Sequence, residues 1–283
     1  MADAPFVTRF APSPTGLAHR GHAFSALTAF RAAKEADGRF LLRMEDIDTT
    51  RCRPAFEAAL LEDLAWLGLT WETPIWRQSE RMAAYAAALE TLKGLGVLYR
   101  CFRTRKEILE DIGRAPHGAE PPSPTPPTPA EAARWLAEER PYAWRLSLEA
   151  AARVLGGFGD LGFVEAGAGP DGEQGHVAAR PETAGDVILA RKDLGVSYHL
   201  AVVVDDAAQG VTQVIRGEDL FAAAHIQRLL QALLDLPTPT YRHHRLLLRP
   251  DGKRFAKRDI SETLRDLRAR GMTPEALAAE LGL

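Results

Sequence analysis

The sequence predicts an α/β fold built on a doubly wound parallel sheet. The first observation is alternation: short apolar runs typical of strands precede helical patterns, once at residues 5–37 and again at 39–67. The second is that few residues join each strand to its helix, which favours parallel strands with crossover connections. The third is that polar side chains gather where the predicted strands end, the edge at which open α/β sheets bind ligands.

Composition indicates a soluble globular chain of 283 residues, long enough for one large domain or two smaller ones. Hydrophobic residues make up 46% and charged residues 26%, and the net charge of −3 does not point to nucleic acid. Two cysteines are too few for a disulfide framework and suggest a reducing compartment. No apolar run reaches the roughly 20 residues of a membrane helix, and the N-terminus lacks signal-peptide features. We expect a cytoplasmic monomer without membrane contact.

The first three helices are predicted from apolar periodicity and from their terminal residues. The first helix begins near Gly21 and carries apolar side chains at helical spacing, namely Phe24, Leu27, Phe30 and Ala33. Residues 39–44 form the next strand, which delivers Glu45 to its carboxyl end. Pro54 opens the second helix, and Ser79 is the expected N-cap of the third.

The segment 97–180 differs in character from what precedes it. A strand at 97–101 is followed by seven prolines between residues 116 and 129, a composition typical of an extended loop. A helix is expected from Thr128 and a strand around 142–146. We interpret the segment as an insertion between two halves of the main fold.

The second half of the main fold is expected to return at residue 185. Strands are predicted at 186–189, at 196–204 as a buried strand ending in two aspartates, and at 212–215. Arg216 then lies at a strand end, where a charge usually has a partner. A helix follows and stops at Pro237, a basic run spans 242–258, and Ser261 and Thr273 are expected to start two short helices.

The stretch 9–22, RFAPSPTGLAHRGH, predicts a phosphate site. Two prolines and a glycine rule out a helix or an inner strand over residues 11–18, so this is a shaped loop between a strand and a helix N-terminus. Free N–H groups and the helix dipole face an anion at such a position. His19 and His22 add two imidazoles, and Gly21 keeps the backbone close to a nucleotide.

Five motifs resemble those of the class I glutamyl-tRNA synthetases. TRFAPSPTG with HRGH resembles the first signature, LLRMEDIDTTR the second, and SYHLAVVVDD and VIRGEDL also match the family. DGKRFAKRD resembles the family's K-M-S-K-S loop at residues 254–258, with Arg254 replacing the first lysine and Ala256 the serine. The resemblance covers nearly the whole chain.

The resemblance implies a Rossmann-type class I catalytic fold with an inserted α+β connective domain that grips the RNA acceptor. The expected divisions are 1–100 and 181–250 for the two Rossmann halves, 101–180 for the insertion, and 251–283 for the loop and C-terminal helices. The family's anticodon-binding domain is not expected. Several relatives bind zinc through C-x-C, but Arg103 replaces the second ligand after Cys101, so we expect no zinc.

The resemblance also implies roles for individual residues. The glutamate pocket would contain Arg9, Ala11, Ser13, Glu45, Tyr198 and Arg216, with Glu45 on the amine. The ATP site, with Mg²⁺ accompanying the nucleotide, would contain Pro12, Thr15, Gly16, His19, Gly21, His22, Arg254 and Lys257. Catalysis would rest on His19, His22 and Lys257, which stabilise phosphate charge while the glutamate carboxylate attacks the α-phosphorus.

Within the family, the chain most resembles a shorter branch, the glutamyl-queuosine tRNA(Asp) synthetases. These load glutamate onto the queuosine base in the anticodon of tRNA(Asp), so L-glutamate, ATP and this tRNA are the expected partners. Three alternatives remain at this stage. They are a short synthetase charging the tRNA 3′ end, a non-catalytic RNA-binding paralogue, and another class I-like nucleotidyltransferase.

Overall fold

The computed structural model describes residues 5–103, 125–191, 195–247 and 262–283. The helices of this part are α1 (Arg20–Glu35), α2 (Pro54–Trp66), α3 (Met82–Gly94), α4 (Pro129–Ala137), α5 (Leu148–Leu155), α6 (Tyr198–Ala208), α7 (Phe221–Leu233), α8 (Leu264–Ala269) and α9 (Pro274–Glu280). The strands are β1 (Val7–Phe10), β2 (Arg39–Met44), β3 (Glu72–Arg77), β4 (Leu98–Cys101), β5 (Ala143–Leu146), β6 (Gly162–Glu165), β7 (Gly175–Ala178), β8 (Ile188–Arg191), β9 (Gly195–Val196), β10 (Gln213–Gly217) and β11 (Thr240–His244).

The predicted doubly wound sheet is confirmed. Seven strands form it in the order β3-β2-β1-β10-β11-β6-β7, and every neighbouring pair is parallel except β6 with β7. From β1 the chain moves outward to β2 and β3 on one side, and later to β10 and β11 on the other. The strand order therefore reverses between β1 and β10, which is where sheets of this kind bind ligands.

Apolar side chains on the two faces of the sheet belong to two separate cores. Alternate residues of a strand point to opposite faces, and Leu41 joins one core while Leu42 joins the other. The first core packs against α6 and α7 through residues such as Leu200 and Leu229. The second packs against α1, α2 and the C-terminal helices. Helices thus cover both faces, and the carboxyl edge of the strands stays available for a site.

A second, four-stranded sheet has the order β4-β5-β8-β9 and is antiparallel throughout. Its strands come from both sides of residue 181, the predicted start of the second Rossmann half. Conversely, β6 and β7 lie within the predicted insertion 101–180 but pair with the large sheet. The division of the chain into domains stays a prediction. Strand pairing joins residues from different predicted divisions in both sheets.

Two expectations about individual elements are wrong, and two strands were missed. Residues 198–208 form helix α6, whereas a buried strand was expected over 196–204. The apolar run hid the helical period because α6 is buried on most sides, with Leu200, Ala201, Val202 and Val203 all covered. Ser79 lies in a 3₁₀ turn and Arg81 is the N-cap position of α3. Strands β3 and β11 were not expected at all.

The reason Ser79 is not a cap is visible in its contacts. Its backbone N–H and its hydroxyl both donate to the carboxylate of Asp46, at 2.9 and 2.6 Å. Thr128 and Thr273 do cap α4 and α9 as expected, and the residue capping α8 is Thr263. Ser261 lies outside the described residues. Within the described part of the chain, no helix combines the length and apolar character needed to cross a bilayer.

Candidate active site

The loop after β1 is held in shape by backbone hydrogen bonds to the connection between β2 and α2. The carbonyl of Pro12 accepts from the N–H of Glu45 at 2.9 Å, and the carbonyl of Pro14 accepts from Arg53 N–H at 3.1 Å. Both prolines are buried, whereas Ser13 between them is exposed. The loop turns at Thr15, whose N–H donates to the carbonyl of Ser13. Ala11 and Gly16 are half-buried in the same loop.

His19 and His22 cap the N-terminus of α1. The Nδ1 atom of His19 accepts from Gly21 N–H at 3.1 Å, and Nδ1 of His22 accepts from His19 N–H at 3.3 Å. An Nδ1 that accepts carries no proton, so each neutral ring bears its proton on Nε2. The ring centroids are 4.0 Å apart. The two imidazoles therefore form a fixed pair of donors at the start of the helix.

Gly21 is required by the ring of His19. A Cβ at this position would lie 2.9 Å from Cε1 of that ring, so a side chain would displace the cap. At Gly16, by contrast, a Cβ would meet nothing within 4 Å. No packing against the described residues explains that glycine.

The segment resembling K-M-S-K-S, with Arg254, Ala256 and Lys257, lies outside the described residues. Its flanks on both sides contact the first turns of α1. Arg245 stacks on Phe24 with its guanidinium carbon 4.9 Å from the ring centroid, and Arg20 pairs with Glu262 at 2.6 Å. Thr263 forms a bridge with His19 itself.

A cleft of about 290 Å³ opens beside the loop, between β2, β8, β9 and the start of α6. Ser13, Glu45 and Tyr198, three of the six residues expected to bind glutamate, line it. Tyr198 is the first residue of α6, so the positive end of that helix dipole also faces the cleft. Arg9 and Arg216 lie deeper, with only 4% and 5% of their surface exposed.

Arg9 is held by a carboxylate that the motif analysis did not single out. Its Nε donates to Asp206 at 2.9 Å, and Nη1 of Arg43 donates to the same oxygen at 2.8 Å. Although burial alone would raise the pKa of Asp206, the two guanidinium groups lower it. The terminal nitrogens of Arg9 make no hydrogen bond to the described residues, so they can still bind a carboxylate.

Glu45 is placed by Arg43, whose Nη2 donates to it at 3.3 Å. Burial raises the pKa of Glu45, while Arg43 and Arg9 oppose that shift. A carboxylate at the edge of a cleft, two residues after a buried arginine, is suited to receive an ammonium group. Glu45 thus lies directly after β2 and beside the cleft, where its place in the sequence predicts it.

Arg216 is held by neutral acceptors. It donates to Nε2 of His243 at 3.1 Å, to the Tyr198 hydroxyl at 3.3 Å, to Oε1 of Gln227 at 2.8 Å and to the carbonyl of Leu220 at 3.0 Å. No carboxylate in the described ranges forms an ion pair with it. A buried charge without a counter-ion is costly, so this site favours an anionic ligand.

The sequence analysis missed two cleft residues, Gln78 and Ser197. Oε1 of Gln78 and the hydroxyl of Ser197 are buried without a hydrogen-bond partner, and both residues line the cleft. Unpaired buried polar atoms are uncommon, and their position indicates contact with a ligand. Ser197 directly precedes Tyr198 at the N-terminus of α6, a signal that was hidden by the strand prediction.

Among the described residues, none beside Cys101 completes a zinc site. Cys101 is buried in β4, and Arg103 follows two residues later. His117, the other ligand considered, lies outside the described residues. In the ranges that the structure describes, no group of three or more His, Cys, Asp or Glu side chains could hold a metal ion.

Comparison with known proteins identifies the family. The family model described as tRNA synthetases class I (E and Q), catalytic domain, matches residues 5–283. The glutamyl-Q tRNA(Asp) synthetase of Rhodobacter capsulatus is 46% identical over an alignment of 287 positions. The alignment covers 98% of this chain and all of that protein. The protein of the same name from Nocardia farcinica is 41% identical over 96% of this chain and 82% of its own length.

Solved structures agree with the fold. The glutamate-tRNA synthetase of Elizabethkingia anophelis matches with a TM-score of 0.74 and 27% identity, over 94% of this chain and 54% of that one. The glutamate tRNA ligase of Elizabethkingia meningosepticum, in complex with its amino acid, matches with a TM-score of 0.72. The chain spans about half the length of these two proteins. From the family model and these relatives, the chain belongs to the class I tRNA synthetases for glutamate and glutamine.

Proposed function

We propose that the chain activates L-glutamate with ATP and transfers it to queuosine in the anticodon of tRNA(Asp). The observation that carries the amino-acid assignment is the pair of buried guanidinium groups, Arg9 and Arg216, beside a cleft edged by Glu45. Two cations close to one anion match an amino acid that has a side-chain carboxylate and an ammonium group. The acceptor is assigned from relatives named glutamyl-Q tRNA(Asp) synthetase, one of them matched over its full length.

In the proposed complex, the substrate's side-chain carboxylate binds Arg9, Arg216 and the Tyr198 hydroxyl, and its amine binds Glu45. Ser13 and the backbone at Ala11 complete the pocket beside the loop. Glutamine offers no charge to Arg216, which then stays buried without a counter-ion. An unsatisfied charged group costs about 1–3 kcal/mol or more, which favours glutamate over glutamine.

ATP, with Mg²⁺ held mainly by its phosphates, would lie along the loop from Pro12 to His22. The Nε2–H groups of His19 and His22 can donate to phosphate oxygens. The open space at Gly16 would let the nucleotide approach the backbone closely. Thr15, Gly16 and Gly21 would line the same surface, although the N–H groups of Thr15 and Gly21 already donate to the Ser13 carbonyl and to Nδ1 of His19. We assign stabilisation of the departing pyrophosphate to Lys257 and Arg254, because both flanks of their segment lie against α1.

The first test is ATP–pyrophosphate exchange by the purified chain without RNA. We expect exchange with glutamate and little with glutamine, whose side chain offers no charge to the two guanidinium groups. We also expect little with aspartate, whose side-chain carboxylate is one methylene shorter. Lys257→Ala should slow exchange by about 10²–10³-fold, the usual loss of one preorganised charge donor. Lack of exchange at saturating glutamate, ATP and Mg²⁺ would refute glutamate activation.

The second test separates the acceptor atoms. We expect tRNA(Asp) without its 3′-terminal adenosine to accept glutamate, and intact tRNA(Asp) from cells that cannot make queuosine to reject it. Charging of tRNA(Glu) at its 3′ end would instead identify an ordinary glutamyl-tRNA synthetase.

We also propose that the chain acts as a cytoplasmic monomer without structural zinc. The proposal rests on the low cysteine count and on Arg103 at the second ligand position. Metal analysis of protein purified without added zinc should find well under one zinc per chain.

A further inference from the structure

Arg216 receives its orientation from a histidine on the neighbouring strand. Strands β10 and β11 are parallel, and Arg216 pairs in register with His243. The Nε–H of Arg216 donates to Nε2 of His243 at 3.1 Å, and both side chains are buried. The ring of Tyr241, which is stacked parallel to His243, lies 5.2 Å from the guanidinium carbon.

This bond determines the tautomer of His243. A guanidinium has only donors, so Nε2 of His243 must offer its lone pair, and the ring proton must sit on Nδ1. Nδ1 lies 2.5 Å from Oε2 of Glu165, which accepts that proton's hydrogen bond. Burial lowers the pKa of His243, the bond to Glu165 and the charge of Asp219 oppose that shift, and Arg216 adds to it, so the net pKa lies below its ordinary value.

Glu165 is itself fixed by the backbone. Its Oε1 accepts from Gly167 N–H at 2.8 Å and from His243 N–H at 2.9 Å. Burial opposes ionisation, yet the bonds from His243 and Gly167 hold the pKa of Glu165 below its ordinary value. A Cβ at Gly167 would lie 2.3 Å from the His243 carbonyl, so the turn packs tightly on β11.

We propose that Glu165 and His243 are positioning residues for amino-acid recognition: Glu165 sets the tautomer of His243, and His243 aims the Arg216 guanidinium at the substrate carboxylate. The proposal rests on the function proposed above. It gives a role to β6, a strand of the predicted insertion that pairs with β11 at Tyr241 and Glu165. Glu165 is linked to Arg216 only through the ring of His243, so it can orient the guanidinium without pairing with it.

The substitution Glu165→Gln tests the tautomer directly. Glutamine keeps both backbone bonds only with its carbonyl oxygen in the Oε1 position, which turns its amide N–H towards Nδ1 of His243. The histidine must then carry its proton on Nε2, opposite the Nε–H donor of Arg216. Losing a hydrogen bond to a charged group predicts a rise of about 10- to 100-fold in KM for glutamate. KM for ATP should stay unchanged.

Two controls separate positioning from general damage. Glu149→Gln makes the same substitution on the exposed surface of α5 and should leave both KM values unchanged. His243→Gln keeps one donor and one acceptor and should lose less glutamate affinity than His243→Leu. If Glu165→Gln does not fold, the comparison of His243→Gln with His243→Leu tests the proposal instead. Nitrogen-15 NMR should show Nδ1–H at His243 in the wild-type chain and Nε2–H in Glu165→Gln.

The outcomes are distinct. Exchange by the wild-type chain with unchanged KM for glutamate in Glu165→Gln would overturn the positioning role alone. Equal rises in KM for ATP and glutamate, or an Nε2–H signal at His243 in the wild-type chain, would overturn it as well. Failure of the wild-type chain to exchange with glutamate would overturn the proposed function and, with it, the role of the two residues.

Discussion

The start of helix α1 and the amino-acid pocket are built in opposite ways. At the helix start, residues 19–22, the side chains that matter are placed by neighbours: Nδ1 of His19 and His22 bond to N–H groups two and three residues away. In the pocket, Arg9 bonds to Asp206 across 197 residues and His243 to Glu165 across 78. The first region is shaped locally, and the second only after the sheet has assembled.

This difference predicts different consequences of mutation. Helix caps contribute about 1 kcal/mol each to stability. Changes at the start of α1 should therefore affect the reaction rate more than the stability of the chain. Breaking a buried charge network leaves uncompensated charges, so changes in the pocket should affect both. Three experiments, ordered by expected effect on stability, test that contrast.

The largest loss of stability is expected from Asp206→Asn. A small loss in this variant would contradict the contrast between the two regions. The substitution leaves the buried guanidinium groups of Arg9 and Arg43 without their shared carboxylate. We expect the free energy of unfolding to fall by about 3–5 kcal/mol, measured by chemical denaturation. Glu149→Gln, which removes a pair on the exposed surface of α5, should cost about 1 kcal/mol or less. Equal losses of unfolding free energy in the two variants would contradict the predicted contribution of the buried charge network to stability.

A pH effect of intermediate size is expected from His199, next to Tyr198 in α6. Burial and nearby Arg216 lower its pKa from 6.5 to about 4, and its Nδ1 is buried without a partner. Between those values the unfolded chain takes up a proton that the folded chain refuses. The free energy of unfolding should therefore fall as pH drops through this window, by up to about 1.4 kcal/mol per pH unit. His199→Leu should flatten the slope, and an unchanged slope would exclude His199 as its source.

The smallest effect on stability, with a large effect on rate, is expected from His22→Ala. The change removes the acceptor for His19 N–H and one proposed phosphate donor. We expect exchange to slow by about 10²–10³-fold while the free energy of unfolding falls by only about 1 kcal/mol. His176→Ala, at an exposed position of β7, serves as the matched control and should change neither. A loss of stability as large as that of Asp206→Asn would show that the start of α1 is not held locally.

Much of the fold could be predicted because its signals are local. Strand β2 was expected over 39–44 and is found there, and Pro54 and Thr273 begin helices as their positions indicate. Helix α6 was missed because it is covered on most sides, so its apolar residues follow one another without the helical period. Strands β3 and β11 were missed because TPIW and YRHH carry polar or proline residues that a partner strand overrides.

By itself, the sequence determined the shaped loop between β1 and α1 and the start of α1 near Gly21, and its motifs predicted the pocket residues Arg9, Glu45, Tyr198 and Arg216. Turn and cap chemistry acts over a few residues, so it is written in consecutive letters. Only the tertiary structure decided which groups hold those side chains: Asp206 for Arg9, and His243 with Glu165 for Arg216. The physical reason is that a buried charge accepts any partner of suitable geometry, however distant along the chain. That partner becomes known only when parallel strands and the helices packed on them bring the two side chains within hydrogen-bonding distance.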